Sequence, residues 1–253
     1  MNKRLTIIGT AALLSLLCAF TSAQDVQQKV AAAMQMDYRT EAEVARDANR
    51  DPIRAIDFMG LQEDMTVVEF LPAGQAWYTK LLAPVLAEKG QLYLLDSAGT
   101  FQRWGDLLDN PVFKNTHKVT IDTRYNRAEG RYELGELNLE VNDADLFLNI
   151  REYHNFNAED KTRLNKTAFD ALKPGGRYVI IDHTRRHMQP ETRILGRRED
   201  PVQVILEVQA AGFQLEKASD MFLRENDDLT QEVGHESVTG QTDRFFLVFQ
   251  KPE

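Results

Sequence analysis

The sequence predicts an α/β domain with a mostly parallel, seven-stranded sheet that ends in an antiparallel hairpin. Short apolar runs alternate with stretches in which apolar residues recur at helical spacing, the order of a parallel sheet with helical crossovers. The last two apolar runs are joined only by a polar loop, which favours antiparallel pairing. The chain has 253 residues and 43% hydrophobic content, so it can form one domain with a large core.

The most informative stretch is a predicted strand, loop, helix and strand between Met65 and Asp96. Thr66–Leu71 is an apolar run typical of a strand buried on both faces, and a Pro-Ala-Gly turn follows it. A helix is predicted for Trp77–Leu86, and the next apolar run ends in Asp96. We therefore expect Glu69 and Asp96 near the carboxyl ends of neighbouring parallel strands, where open α/β sheets bind ligands.

The loop between these strands contains one glycine, Gly74. A dinucleotide fold needs the pattern G-x-G-x-x-G so that the backbone can approach a pyrophosphate, and this pattern is missing, so we expect no phosphate cradle here. Asp96 could accept two hydrogen bonds from ribose hydroxyls, or it could only cap a loop. The loop residues alone favour neither interpretation.

The segment before the first strand predicts two helical stretches. Thr40 and Glu43 have the spacing of a capping box. Asp51 is then the expected N-cap of a helix with Pro52 at its first position, and Gly60 is expected to end this helix.

After Asp96 the alternation continues, and the stretch Tyr125–Val141 is polar without a clear pattern. The predicted elements are a helix over Ala98–Leu108, strands over Lys118–Ile121 and Asp145–Ile150, a helix capped by Asn157, a strand over Arg177–Asp182, a helix opened by Asp200 and strands over Phe213–Met221 and Arg244–Gln250. The predicted sheet core is Val67, Val68, Phe70, Leu94, Leu146, Leu148, Val179 and Ile180.

The first 23 residues have the pattern of a signal peptide. Lys3 and Arg4 precede an apolar run over Leu5–Phe20, and small residues lead to a cleavage site expected after Ala23. The only cysteine, Cys18, lies inside this run, so the mature chain has no thiol for a disulfide. These features predict a periplasmic or secreted protein with no stable membrane anchor after cleavage.

The mature chain divides into a lead-in and a domain. Residues 24–39 are polar and alanine-rich and are expected to be flexible, and residues 40–253 are expected to form the single folded domain. The net charge of −9 disfavours nucleic acid as a partner. The pairs Arg185-Arg186 and Arg197-Arg198 indicate one local anion site at most, so the expected partner is a small molecule. The sequence does not determine the oligomeric state.

Five stretches of the sequence resemble a known protein family, four of them within residues 46–183 and the fifth near the end of the chain. They are Arg46-Asp47 with Arg50-Asp51-Pro52, Pro72–Pro84 with Trp77-Tyr78-Thr79, Asp145–Phe156 with Tyr153-His154-Asn155, Leu172–His183, and Gly240–Pro252. In these and in its order of elements, the chain resembles the class I S-adenosylmethionine-dependent methyltransferases, which have a Rossmann-like fold. More specifically, it resembles a family of predicted methyltransferases that carry bacterial export signals.

The resemblance implies S-adenosylmethionine as the cofactor and assigns roles to four residues. Glu69 matches the acidic residue near the amino acid moiety of the cofactor, and Asp96 matches the one that binds the ribose hydroxyls. Gly74 marks the close approach of backbone to the methionine tail. Asp122, after the third strand, is the candidate for contact with adenine.

The chain departs from the resemblance in the loop after the first strand. Related loops have several glycines between the proline and the Trp-Tyr-Thr, whereas this chain has Ala73, Gln75 and Ala76 there, and its loop is one residue longer. These side chains could crowd the cofactor.

Tyr153 and His154 follow the fourth strand, where this class places groups that face the substrate. His154 could serve as a general base near neutral pH. It could also only hydrogen-bond across its loop, which is the interpretation we favour from the residues. His183 and His187, with Asp182, lie in or beside a loop without a further ligand pair, so we expect no metal site.

The function expected from these features is transfer of a methyl group from S-adenosylmethionine to a small molecule. The alternative is a catalytically inactive exported domain that binds a nucleoside-type or other small ligand in the same cleft.

Overall fold

The computed structural model describes residues 24–253, so the predicted signal peptide lies outside the described residues. The helices are α1 (24–33), α2 (Glu41–Val44), α3 (Asp47–Arg50), α4 (Pro52–Met59), α5 (Thr79–Leu86), α6 (Ala98–Arg103), α7 (Ala158–Ala171) and α8 (Pro201–Ala210). The strands are β1 (Thr66–Phe70), β2 (Gln91–Asp96), β3 (Thr116–Thr120), β4 (Thr123–Asn126), β5 (Arg131–Leu134), β6 (Ala144–Ile150), β7 (Leu172–His183), β8 (Gln214–Ser219) and β9 (Arg244–Gln250).

Seven strands form one sheet in the order β3-β2-β1-β6-β7-β9-β8. The five strands from β3 to β7 in this order are parallel, and β9 is antiparallel to both β7 and β8. This topology confirms the predicted fold class, including the terminal hairpin. After β3 the chain returns to the other side of β1, so the strand order reverses between β1 and β6. Open α/β sheets bind ligands at the carboxyl ends of their strands beside such a reversal.

A second, two-stranded sheet, β4 and β5, lies in the stretch that gave no clear pattern. Its residues are mostly exposed or half-buried, and only Leu134 is buried. A hairpin with so little apolar alternation leaves no periodic signal in the sequence.

All eight residues predicted for the sheet core are at most 1% exposed. They divide between the two faces of the sheet, because successive side chains of a strand point in opposite directions. Val67 and Leu148 pack on one face with α4 and α5, and Val68 and Ile180 pack on the other with α7 and α8. The sheet is therefore covered on both sides.

The segment expected to be a flexible lead-in differs from that expectation, since α1 is a helix packed on the core. Val26, Val30 and Ala33 lie on one face of α1 and are at most 2% exposed. Three small apolar residues were too few for a recognisable stripe, yet they suffice to dock the helix.

The helix boundaries follow the predicted caps closely, with two exceptions. Thr40 and Glu43 form the capping box, and Gly60 ends α4 with a φ of 79°. Asp51 precedes Pro52 as expected, but its side chain makes no capping hydrogen bond. The helix α6 ends at Arg103, five residues before the predicted end. No helix within residues 24–253 is long and apolar enough to cross a membrane.

Candidate functional site

A cavity of about 450 Å³ opens at the carboxyl ends of β1 and β6. Its wall comes from the loop between β1 and α5, from the turn after β6, and from basic residues of other segments. The cavity wall is mostly polar and includes Glu69, Ala73, Gly74, Gln75, Tyr132, Arg151, Glu152, His154, His183, Arg46, Arg50 and Arg197. Its volume falls in the range of small-molecule sites.

The loop after β1 has an unusual backbone. Leu71, Ala73 and Ala76 have φ angles of 49°, 59° and 49°, in the left-handed region that costs about 1 to 2 kcal/mol for a residue with a Cβ. Two hydrogen bonds fix its centre: Ala73 N donates to Asp96 Oδ2 at 3.0 Å, and Trp104 Nε1 donates to Ala73 O at 3.0 Å. The alanines that replace the expected glycines thus occupy positions where glycine would be less strained.

Gly74 lies in the cavity wall with space beside it. A Cβ built on Gly74 would approach only Arg103 Nε, at 3.6 Å, which is an ordinary contact. Its φ is outside the left-handed region. A Cβ at this position of the cavity wall would therefore fit without a close contact.

Glu69 brings a buried carboxyl group to the cavity. It is 4% exposed, and Thr79 Oγ1 donates a hydrogen bond to its Oε2 at 2.7 Å. Burial raises the pKa of Glu69 to about 7, and nearby Asp96 adds to the rise, whereas the hydrogen bonds from Thr79 oppose it. Glu69 can therefore gain or lose a proton near neutral pH.

Asp96 stands behind the loop and does not line the cavity. Besides the bond from Ala73, its Oδ1 accepts a hydrogen bond from Ser97 N at 2.6 Å, and the residue is 4% exposed. A carboxylate has further lone pairs, but a ribose could reach them only if the loop moved. In this conformation Asp96 holds the loop in place, which is the second of the two roles that the sequence left open for it.

Asp122, the candidate for adenine, lies away from this wall. It is exposed and lines a separate depression with Thr120, Glu136 and Asn138. Tyr132, which was not singled out from the sequence, presents an aromatic ring to the cavity instead.

Tyr153 and His154 are neighbours in the 3-10 turn after β6, and they point in different directions. Tyr153 is fully buried, donates to Glu207 Oε2 at 2.8 Å and accepts from Asn165 Nδ2 at 2.9 Å. It belongs to the packing under α7 and does not line the cavity. His154 lines the cavity and is 5% exposed.

His154 is held by Asp182 at the end of β7. Its Nδ1 lies 2.7 Å from Asp182 Oδ1, and its backbone N donates to Oδ2 at 2.9 Å. Because a carboxylate only accepts, Nδ1 carries the proton. Nε2 has no hydrogen-bond partner among residues 24–253, so it is the nitrogen available to a molecule in the cavity. His154 therefore hydrogen-bonds to the end of the neighbouring strand and also faces the cavity, and its role as a general base stays a prediction.

Two further titratable groups lie beside this pair. Burial raises the pKa of Glu152 to about 7, although His154 opposes the rise. Burial and then the charge of Arg151 hold the pKa of His183 well below its usual value. Arg151 Nε donates to His183 Nε2 at 3.2 Å, so the single proton of this neutral ring lies on Nδ1, which is 2.8 Å from Thr242 Oγ1.

His183 and His187, for which the sequence predicts no metal site, have hydrogen-bond partners in the protein. His183 is bonded to Arg151 and Thr242, and His187 Nδ1 lies 2.9 Å from Asp200 Oδ2. Within the part of the chain that the structure describes, no group of three or more histidine, cysteine or acidic residues could hold a metal ion.

The arginines of the wall are the main feature that sequence reasoning missed. Arg46 and Arg50 lie in a motif that carried the resemblance, but no role was assigned to them. Their spacing of four residues, with one at each end of the short helix α3, was the available signal. Arg151 and Arg197 approach the same wall from other segments.

Comparison with known proteins identifies similar structures but no similar sequences. No family model matches the chain, and no curated protein matches its sequence. Among solved structures, an S-adenosylmethionine-dependent methyltransferase from Aquifex aeolicus superposes with a TM-score of 0.54 over 79% of this chain and 89% of that chain, at 17% identity. Human N-acetylserotonin methyltransferase in complex with S-adenosylmethionine gives a TM-score of 0.51 over 83% of this chain and 54% of that one, at 10% identity.

The fold is that of the class I S-adenosylmethionine-dependent methyltransferases. The [4+2]-cyclase SpnF also superposes, with a TM-score of 0.59 over 86% of this chain and 85% of its own, at 13% identity. A protein described as a cyclase thus shares the architecture, so the chemistry of this chain has to be argued from its own residues.

Proposed function

We propose that the protein is an S-adenosylmethionine-dependent methyltransferase that acts on a small molecule. The observation that carries the proposal is the cavity at the reversal of strand order, where Gly74 leaves space beside the loop and Glu69 supplies a carboxyl group. The structural neighbours support the proposal at the level of the fold.

The residues of the cavity fit this cofactor. Glu69 would pair with the ammonium group of the methionine moiety, and that pairing would favour its ionised form. Gly74 would let the methionine tail approach the backbone. Asp96 would bind the ribose hydroxyls once the loop releases it, and the left-handed strain at Ala73 lowers the cost of that movement. The bound cofactor supplies a methyl group on a positively charged sulfur.

His154 is the group that can prepare the acceptor. Asp182 fixes the ring and leaves Nε2 toward the cavity. In the proposed reaction the cofactor would supply the methyl group and keep the electron pair of the broken carbon–sulfur bond on its sulfur, and His154 Nε2 would take the proton that the acceptor atom loses. Tyr153 has no direct part in this proposal, because it is buried in the core.

Export completes the proposal. Residues 1–23 would direct the chain out of the cytoplasm and be removed before Gln24, which leaves residues 24–253 as the mature protein. N-terminal sequencing of exported protein tests this step. A mature chain that still begins at Met1 and stays in the membrane would overturn it.

Calorimetry with S-adenosylhomocysteine tests cofactor binding. The wild type should show saturable binding, and Gly74→Val should weaken it at least tenfold, because Gly74 lies in the cavity wall and a side chain there would take up space that the methionine tail needs. Gly196→Val is the matched control, since a Cβ there also meets only ordinary contacts, at 3.5 Å, and Gly196 lies outside the cavity wall. Both variants should keep the melting temperature and circular dichroism spectrum of the wild type.

The same titration tests Asp96. Asp96→Asn should weaken binding by about 1 to 3 kcal/mol, the range for hydrogen bonds to a charged group. Absence of wild-type binding at millimolar ligand would overturn the cofactor assignment. Binding without methyl transfer to a broad panel of acceptors would favour the inactive domain.

A further inference from the structure

A second cavity of about 360 Å³ adjoins the first. The two cavities share five lining residues: Arg46, Arg50, Arg151, His183 and Arg197. The second cavity extends away from the loop toward Arg244, Thr242 and Gly240. A Cβ on Gly240 would meet nothing within 4 Å, so this end is open. Together the cavities have room for two ligands side by side.

Two arginines of the second cavity, Arg50 and Arg244, are positioned by neutral groups. The guanidinium of Arg50 lies 4.4 Å from the ring centroid of Trp77. Arg244 Nη2 donates to Asn49 O at 2.6 Å, and its guanidinium lies 4.3 Å from the ring centroid of Phe222. Aromatic faces and a carbonyl fix these groups in place without neutralising their charge.

Their hydrogen-bonding capacity is incompletely used. Arg244 is 7% exposed, and its Nε is buried without a partner. Arg50 is 8% exposed, and its side chain donates no hydrogen bond to any of residues 24–253. A buried donor is normally satisfied, so Arg244 Nε calls for an acceptor, and the guanidinium of Arg50 has donors available for one.

No carboxylate within the described chain forms an ion pair with Arg46, Arg50, Arg151 or Arg244. The acidic groups that face Arg151 are Asp182, which His154 engages, and Glu152, which is partly protonated near neutral pH. Burial, and then the charges of neighbouring arginines, lower the pKa of Arg50 to about 9. Burial and the charge of Arg151 lower that of Arg244 to about 10.

Another buried arginine, Arg198, shows how this fold can neutralise such a charge. Arg198, fully buried nearby, forms two parallel hydrogen bonds with Asp227, at 2.9 and 3.0 Å. The strained backbone of Arg151, with a φ of 67°, also marks the wall of the second cavity as specialised. Unneutralised arginines in a cavity are the usual recognition device for carboxylate and phosphate groups.

We propose that the second cavity binds the carboxylate or phosphate group of a small anionic compound through Arg50, Arg151 and Arg244. The anion site itself does not depend on the proposed function. Only the further step, that the bound compound is the methyl acceptor, rests on that function. An anion held there would place the rest of the compound at the boundary of the first cavity, whose wall includes His154.

The test uses residues 24–253 of the protein, with inorganic phosphate and malonate as probes. Isothermal titrations at constant ionic strength, with chloride as the balancing salt, should show saturable binding of at least one probe to the wild type. The stronger probe distinguishes a phosphate from a carboxylate ligand. The proposal is overturned if neither probe saturates below about 50 mM, which is roughly fifty times a dissociation constant of 1 mM.

Arg244→Met locates the site, because Arg244 lines the second cavity and not the first. This variant should weaken anion binding at least tenfold and leave the affinity for S-adenosylhomocysteine within twofold of the wild type. Arg124→Met, which removes the same charge from an exposed position on β4, should change neither affinity. Equal loss of anion binding in both variants would contradict a specific site.

The two proposals can fail separately. Binding of S-adenosylhomocysteine without anion binding would overturn the anion site and leave the cofactor assignment standing. Anion binding without binding of S-adenosylhomocysteine would overturn the cofactor assignment and leave the anion site standing. If Arg244→Met does not fold, Arg50→Lys serves instead, because lysine keeps the charge but loses the planar pair of donors. It should weaken anion binding, and unchanged binding would contradict the proposal.

Discussion

Replacing Glu69 with glutamine should change how the stability of the fold depends on pH. In the native state the pKa of Glu69 is raised from its ordinary value of 4.5 to about 7, chiefly by burial. Below pH 4.5 the carboxyl group is protonated in both the folded and the unfolded chain. As the pH rises, the unfolded chain releases this proton first, so Glu69 lowers the free energy of unfolding until the pH passes about 7.

The size of the effect follows from the shift. A rise of about 2.5 units at about 1.4 kcal/mol per unit gives about 3 kcal/mol as the largest change. Glutamine can still accept the hydrogen bond from Thr79 and does not ionise. The Glu69→Gln variant should therefore gain up to about 3 kcal/mol of stability relative to the wild type between pH 4.5 and pH 8.

Urea unfolding followed by tryptophan fluorescence, at half-unit steps of pH, measures this difference. Glu152 changes the wild-type curve in the same direction, because its pKa is also raised to about 7, so the quantity to compare is the difference between variant and wild type. Glu236→Gln, at an exposed position, is the control. A Glu69→Gln curve parallel to that of the wild type over this range would refute the account of Glu69.

Three further predictions concern stability and use the same unfolding assay. Ile180→Ala, at a fully buried position of β7, should lower the free energy of unfolding by about 2 to 5 kcal/mol, and an unchanged midpoint would mean that β7 is not a central strand. Ala73→Gly should leave the free energy of unfolding unchanged or raise it by up to about 1 kcal/mol, because the φ of Ala73 is 59° and glycine adopts this conformation without strain. The control Ala210→Gly, at an exposed helical position, should lower it by about 0.5 to 1 kcal/mol. Equal losses in the two variants would contradict the left-handed conformation of Ala73. Arg198→Met should cost about 3 to 5 kcal/mol, because Asp227 stays buried without its partner, and a cost near zero would show that this pair is dispensable.

The sequence predicted the fold in detail where one physical signal dominated. The parallel strands were found because burial on both faces requires a nearly continuous apolar run, as in Thr66–Phe70. The polar hairpin of β4 and β5 has no such signal, and the docking of α1 depends on three small residues that only the assembled core reveals.

The sequence identified residues of the cavity wall where their position depends on strand ends, and it missed those whose position depends on distant contacts. Glu69 and Gly74 reach the cavity because the end of β1 must lie at the carboxyl edge of the sheet. Tyr153 and His154 are adjacent, and only the geometry of their turn decides that one is in the core and the other in the wall. Arg244 meets Asn49 across 195 residues of sequence, a proximity that no local pattern encodes.

A crystal structure of the protein with S-adenosylhomocysteine tests the central claim most directly. The account predicts the ligand along the loop after β1, with its amino acid end at Glu69, its chain beside Gly74 and its ribose hydroxyls on the carboxylate of Asp96. The loop should have released the hydrogen bond from Ala73 to Asp96. Ligand bound elsewhere, or a cavity that stays without ligand at saturating concentration, would contradict the account.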